Sequence, residues 1–145
     1  MDNGASGTPS GDALHRLRQL AEHASALSGP DFRFGLWHQS QQLDDGSFTV
    51  PWYELGPEAD RFVRDASALG FVRPLEWVAW SATPEAASLL EPGGVRNASA
   101  DQIANLLTTL VRRDRFVEGG LAAAFESGLI LAILERAKEL SAGDR

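Results

Sequence analysis

The residues best equipped for chemistry crowd into the run Arg112-Arg113-Asp114-Arg115-Phe116-Val117-Glu118. The guanidinium groups of Arg112 and Arg115 suit a phosphate or carboxylate, because a planar fork donates two parallel hydrogen bonds. Glu118 beside them can orient a proton. Trp37, Trp52 and Trp80, three of the chain's four tryptophans, offer flat faces on which such a ligand would stack. Trp37, Trp52, Trp80, Arg112, Arg115 and Glu118 are therefore the candidate ligand-binding residues. The same residues have a plainer reading: an ion-pair cluster tying two helices together, and tryptophans closing a core.

Other chemistries find little footing. The chain has no cysteine, so a thiolate zinc site, a cysteine nucleophile and a disulfide scaffold are all excluded. His15 and His23 would stand about 12 Å apart along one helix, and His38 lies in another segment, so no metal is expected. No GxSxG elbow appears, and Gly93-Gly94 and Gly119-Gly120 lack the context of a phosphate-binding loop. Glu118 and Glu126 would lie two helical turns apart, a weak acid–base pair. No catalytic residue is assigned, and no cofactor is expected.

These side chains must be positioned by one domain, since 145 residues is the usual size of one. A chain of this length buries roughly 68–70% of its unfolded surface, enough for one core. The sequence predicts a disordered tail over 1–11, a globular domain over 12–140 and a short tail over 141–145. Met1–Gly11 has neither the basic nor the apolar region of a secretory signal. The most apolar stretch, Leu121–Leu134, contains Glu126 and falls short of the ~20 residues a membrane span needs. A cytoplasmic protein without membrane contact is the expectation. The net charge of −7 disfavours nucleic acid as a partner.

Hydrophobic spacing predicts the elements. Leu14, Leu17, Leu20, Ala24 and Leu27 mark a helix opened by Asp12 and stopped at Ser28-Gly29-Pro30. Phe32, Phe34 and Leu36 alternate with polar or small residues, as do Phe48, Val50 and Trp52. Asp44-Asp45-Gly46 signals a turn between them, so two short strands or extended arms are expected, with Pro51 making the second irregular. Pro57 opens a helix that Gly70 closes. Pro74 and Thr83-Pro84 suggest short helices carrying Trp77, Trp80 and Leu89. Glu91-Pro92-Gly93-Gly94 breaks the chain, and Ser99-Ala100-Asp101-Gln102 is a capping box.

Helical phase then creates a conflict. At about 100° per residue, Asp114 falls in the stripe of Ile103, Leu107 and Leu110, while Phe116 points to solvent. Either the helix ends near Arg113 and turns Phe116 inward, or Asp114 is buried and needs one of its neighbouring arginines. The last helix, from about Leu121 to Leu140, is apolar on every side. Central burial explains that best, with a homodimer seam over 121–140 as the alternative. Gly128 within it suggests close approach of another helix.

Several of these residues occur together in a known set. Phe34-Gly35-Leu36-Trp37, Asp45-Gly46, Pro51-Trp52-Tyr53, and Leu106-Leu107-Thr108 through Arg112, Arg115-Phe116, Glu118-Gly119 and Leu121 carry the likeness. The chain resembles, over about residues 30–137, a family of small bacterial and archaeal proteins catalogued only as domain of unknown function 6508. Trp52 departs from it, standing where a smaller aromatic is expected. The resemblance implies a domain and no mechanism.

The expected architecture is mainly α: about five helices in a compact bundle, with a small extended or β-hairpin element between helices 1 and 2. The leading functional expectation is a non-catalytic protein-interaction or self-associating module. A binding domain or enzyme for a small anionic ligand is the alternative, and a nucleic-acid-associated regulator comes third.

Overall fold

The computed structural model of the chain describes residues 11–142. The expected tails lie outside these residues, apart from Gly11 at the start of the first helix and Ser141 and Ala142 at the end. Helices α1 (Gly11–Ala21) and α2 (His23–Ala26) follow each other across Glu22. Strands β1 (Gly35–His38) and β2 (Trp52–Leu55) then form a two-stranded antiparallel hairpin. Helices α3 (Pro57–Ala68), α4 (Trp77–Ser81) and α5 (Pro84–Leu90) lead to a 3-10 turn at Gly94–Asn97. Helices α6 (Ala100–Arg113), α7 (Gly120–Glu126) and α8 (Leu129–Ser141) complete the described chain. The protein is mainly helical, with more helices than the five expected.

Local chemistry sets most of the boundaries. In α6 the Ser99 hydroxyl accepts from the Gln102 N–H while the Gln102 side chain accepts from the Ser99 N–H, a complete capping box. Thr83 Oγ1 likewise accepts from the Ala86 N–H at the start of α5, with Pro84 in its first turn. Gly70 follows α3 at φ +88°, the left-handed conformation that glycine adopts without a Cβ penalty. Asp12 lies within the first turn of α1, where it pairs with Arg16 one turn on.

Helix α8 is the central element. Ile130, Ile133, Leu134 and Ala137 are fully buried in one cluster with Leu17 and Leu20 of α1, Leu27, Phe62 of α3 and Ile103, Leu106 and Leu107 of α6. Burying a Leu, Ile or Phe side chain contributes about 1.5–3 kcal/mol each, so this cluster dominates the fold's stability. Among the described residues, no exposed large hydrophobic side chain lies in 121–140. Central burial accounts for the all-round apolar character of this segment. Thr108 fastens the chain that follows α3: its hydroxyl donates to the Phe71 carbonyl and accepts from the Arg73 N–H. Among the described residues, no helix is long and apolar enough to cross a membrane.

Two sequence expectations need correction. The strands begin and end about three residues later than the alternation indicated, because Phe34 is drawn into the core, where it stacks on Phe125 at 4.7 Å. Pro51 stands just before β2, which needs its ladder N–H groups. The last helix is two helices, broken at Ser127-Gly128. Gly128 has φ +90°, and a Cβ built there would meet nothing within 4 Å. Its role is the backbone reversal between α7 and α8, and no neighbouring helix approaches it.

The sign of one substitution separates these accounts. Inside a continuous helix Gly128→Ala would stabilise by about 1 kcal/mol. At φ +90° it is expected to destabilise by about 1–2 kcal/mol, measured by chemical denaturation.

Candidate functional site

The conflict at Asp114 is settled by a tight loop, residues 114–119. Helix α6 ends at Arg113 and Asp114 is its C-cap residue. Among the described residues, the half-buried Asp114 carboxylate takes no arginine. Its Oδ1 accepts the Leu121 N–H at 2.9 Å, in the first turn of α7. A carboxylate there satisfies an orphan helix donor and faces the positive end of the helix dipole. The early helix end was one of the two expected outcomes, but Phe116 does not turn inward: it is 76% exposed and stacks on Trp77 at 6.0 Å.

The same loop carries the hairpin. Gly119, at φ +80°, lies under the Trp37 ring, where a Cβ would overlap Trp37 and stand 3.1 Å from its Cη2. Glu118 next to it reaches β2, its Oε2 accepting the Tyr53 N–H at 2.7 Å. The strand register is Gly35↔Leu55, Leu36↔Glu54, Trp37↔Tyr53 and His38↔Trp52. Residues directly opposite share a face, and faces alternate along the strand. Gly35, Trp37, Tyr53 and Leu55 therefore point one way, and Leu36, His38, Trp52 and Glu54 the other.

The first face is pinned to the body. Tyr53 and Leu55 pack against the core, and the Trp37 and Tyr53 rings meet edge to face at 5.4 Å. The Tyr53 ring also covers Gly35, where any Cβ would collide with it and with the Glu54 carbonyl. The second face looks outward. His38 stacks on Trp52 with ring centroids 4.2 Å apart, and its Nε2 meets Glu54 Oε1 at 2.7 Å. Beyond the strands, the turn at Asp45-Gly46 is held by Ser47, whose N–H and hydroxyl both donate to Asp45 Oδ1. Those two bonds hold the exposed Asp45 carboxyl below its ordinary pKa.

The profile of a family described as "Family of unknown function (DUF6508)" matches residues 13–143, nearly the whole chain. The chain belongs to that family. No curated protein and no solved structure matches it.

In this DUF6508 chain the six candidate residues divide. Trp37, Trp52 and Glu118 gather at the hairpin. Trp80 does not join them. It packs against the core, with its Nε1 shut from solvent and without a hydrogen-bond partner. Arg112 and Arg115 have no ion-pair partner among the described residues, so the expected structural ion-pair cluster does not form. Arg112 and Arg113 instead occupy the last turn of α6, where cations complement the negative end of the dipole. Glu118 is committed to a backbone N–H and holds the hairpin. Among the described residues, no group of three His, Asp or Glu side chains is placed to hold a metal.

The six candidate residues leave out Tyr53, Gly119, Trp77 and Phe116. The one available signal was Gly119 itself, next to the position where helical phase failed. A groove of about 470 Å³, lined by Arg16, Leu17, Phe71, Arg73 and Asp101, lies apart from the hairpin. Its arginines are already paired, Arg16 with Asp12 and Arg73 with Asp101 and Asn105.

Tyr53 is the chain's one tyrosine. Burial, then the nearby charges of Glu126 and Asp114, push its phenol above the ordinary value. Above the unfolded pKa of about 10 the unfolded state releases this proton first, so stability falls as pH rises toward the native value. Tyrosinate absorbance in the near ultraviolet is expected to titrate at higher pH in the native protein than in denaturant.

Proposed function

We propose that this protein is a non-catalytic protein-interaction module that engages a partner protein through the aromatic hairpin. One observation carries the reading. Ten large hydrophobic side chains are exposed among the described residues, and six of them, Leu36, Trp37, Leu43, Phe48, Val50 and Trp52, lie on the hairpin and its loop. Phe116 and Val117 of the supporting loop add two more. Scattered exposed hydrophobics are ordinary, but concentration on one element marks an interaction surface. Tryptophan is also among the residues that carry most binding energy at protein interfaces.

The partner is a protein surface because the side chains spread along the hairpin and its loop and line none of the main grooves among the described residues. A small ligand needs a concave site that covers most of its area. The binding of a small anion by Arg112, Arg115 and the tryptophans has weaker support. Trp80 faces the core, and Glu118 is already bonded to Tyr53. The free guanidinium groups of the 112–115 run fit an acidic rim on the partner better than a pocket. Binding to nucleic acid remains the least supported reading, given the net charge of −7.

The test is a photo-crosslinking amino acid placed at Val50, which is 80% exposed, against the same group at Leu90 on α5. In cells, the Val50 position is expected to yield a discrete protein adduct and the Leu90 position none. Trp52→Ala should weaken that partner's binding about thirtyfold, the loss typical of a hot-spot aromatic, with the melting temperature unchanged. Equal adducts at both positions, or a partner indifferent to Trp52, would refute the reading.

A further inference from the structure

The two edges of the hairpin are treated differently. The Gly56 N–H donates to the Phe34 carbonyl at 2.8 Å, so Phe34 and Gly56 form a hydrogen-bonded pair. Alternation then makes Leu36–Glu54 and His38–Trp52 hydrogen-bonded pairs, while Gly35–Leu55 and Trp37–Tyr53 point their N–H and C=O groups away from the hairpin. On β2 that outer edge is sealed, because Glu118 takes the Tyr53 N–H and Pro51 precedes the strand. On β1 the Gly35 and Trp37 groups have no partner among the described residues.

Edges left open are usually blunted by lysine, proline or an inward charge. The β1 edge is short, at four residues, and carries none of these side-chain devices. It lies in a run, residues 34–43, without a single Asp, Glu, Lys or Arg, in a chain whose net charge is −7. Two copies of so acidic a protein repel each other over most of their surfaces, and this edge is a place where they meet without opposed charge.

We infer that β1 pairs with β1 of a second copy, antiparallel about a two-fold axis at Leu36, to give a four-stranded sheet across a homodimer. The proposal rests on the reading of the hairpin as the docking element and names its occupant. The register follows from the free groups. Gly35 of one copy and Trp37 of the other exchange both backbone hydrogen bonds, and Leu36 faces Leu36 of the other copy as a non-hydrogen-bonded pair. Such an interface is self-complementary, as a two-fold requires. No like charges are opposed, since Arg33 falls across from Gln39 of the other copy. Leu36, 60% exposed in the single chain, is covered by its own counterpart on the outward face.

The absence of cysteine makes the test clean. Non-hydrogen-bonded antiparallel partners have Cα atoms about 4.5 Å apart, within the roughly 4.4–6.8 Å that a disulfide spans. Leu36→Cys is expected to give a disulfide-linked dimer under mild oxidation, at least tenfold faster than Leu90→Cys at equal concentration. In sedimentation velocity over a dilution series, the unmodified chain should show a monomer–dimer equilibrium. Leu36→Lys, which sets two charges face to face at the axis, should be monomeric and should melt at the temperature of the native chain under dilute, monomeric conditions.

A chain monomeric throughout the series, or a dimer that survives Leu36→Lys and links no faster at Leu36 than at Leu90, overturns the pairing. If that chain still forms the Val50 adduct with another protein, the docking element stands and only the occupant is wrong. A dimer linked at Leu36 whose Val50 adduct is indifferent to Trp52 retains the edge pairing and removes the aromatic face.

Discussion

Gly119 is the residue on which the arrangement turns. An isolated two-stranded hairpin is at best marginally stable in water, so this one must be held by something else. What holds it is the loop after α6, and that loop works because one residue adopts a left-handed conformation without a side chain. The missing Cβ lets the Trp37 ring rest on the backbone, and the preceding Glu118 then lies in reach of the Tyr53 N–H. The same turn brings Leu121 to the Asp114 carboxylate, so a single reversal starts α7 and fixes the hairpin.

From that constraint the outward face follows. Once Trp37 and Tyr53 are turned toward the loop, strand alternation obliges Leu36, His38 and Trp52 to face solvent. Trp52 is steadied by the His38 ring and Glu54 in turn steadies His38, so the exposed aromatic is held in place before any partner arrives. Preorganisation of this kind lowers the ordering cost of association. The helical body, built around α8, supplies the rigid frame and buries most of its large apolar side chains, with Val78 and Leu90 as exceptions.

Much of this was legible in the sequence, and the failures share a cause. Helices α1, α3 and α6 were visible because leucine spacing, Pro57, Gly70 and the Ser99 capping box all agree. The turn at Asp45-Gly46 and the paired arms around it were visible too. Gly128 was misjudged because a glycine looks the same in sequence whether it serves close packing or a left-handed backbone; Gly119 was legible as a turn, but not as the seat of the Trp37 ring. Without the reversal at Gly128, α7 and α8 merge into one helix. With α6 continued past Arg113, Asp114 looks like a buried charge in need of an arginine, although its true partner is a backbone N–H seven residues on. The aromatic candidates divided for a similar reason. Trp77 and Trp80 lie on one short helix, and no periodicity tells which meets Phe116 and which meets the core.

The central claim is that Glu118 anchors the hairpin by sealing the outer edge of β2. Residue-resolved amide hydrogen exchange, comparing the native chain with Glu118→Ala, which removes the acceptor, tests it most directly. The account predicts a slowly exchanging Tyr53 N–H in the native chain, accelerated at least tenfold in the variant together with the rest of the hairpin. Exchange in α6 and α8 should stay unchanged. A Tyr53 N–H that exchanges fast in the native chain, or is equally slow in both, would contradict it.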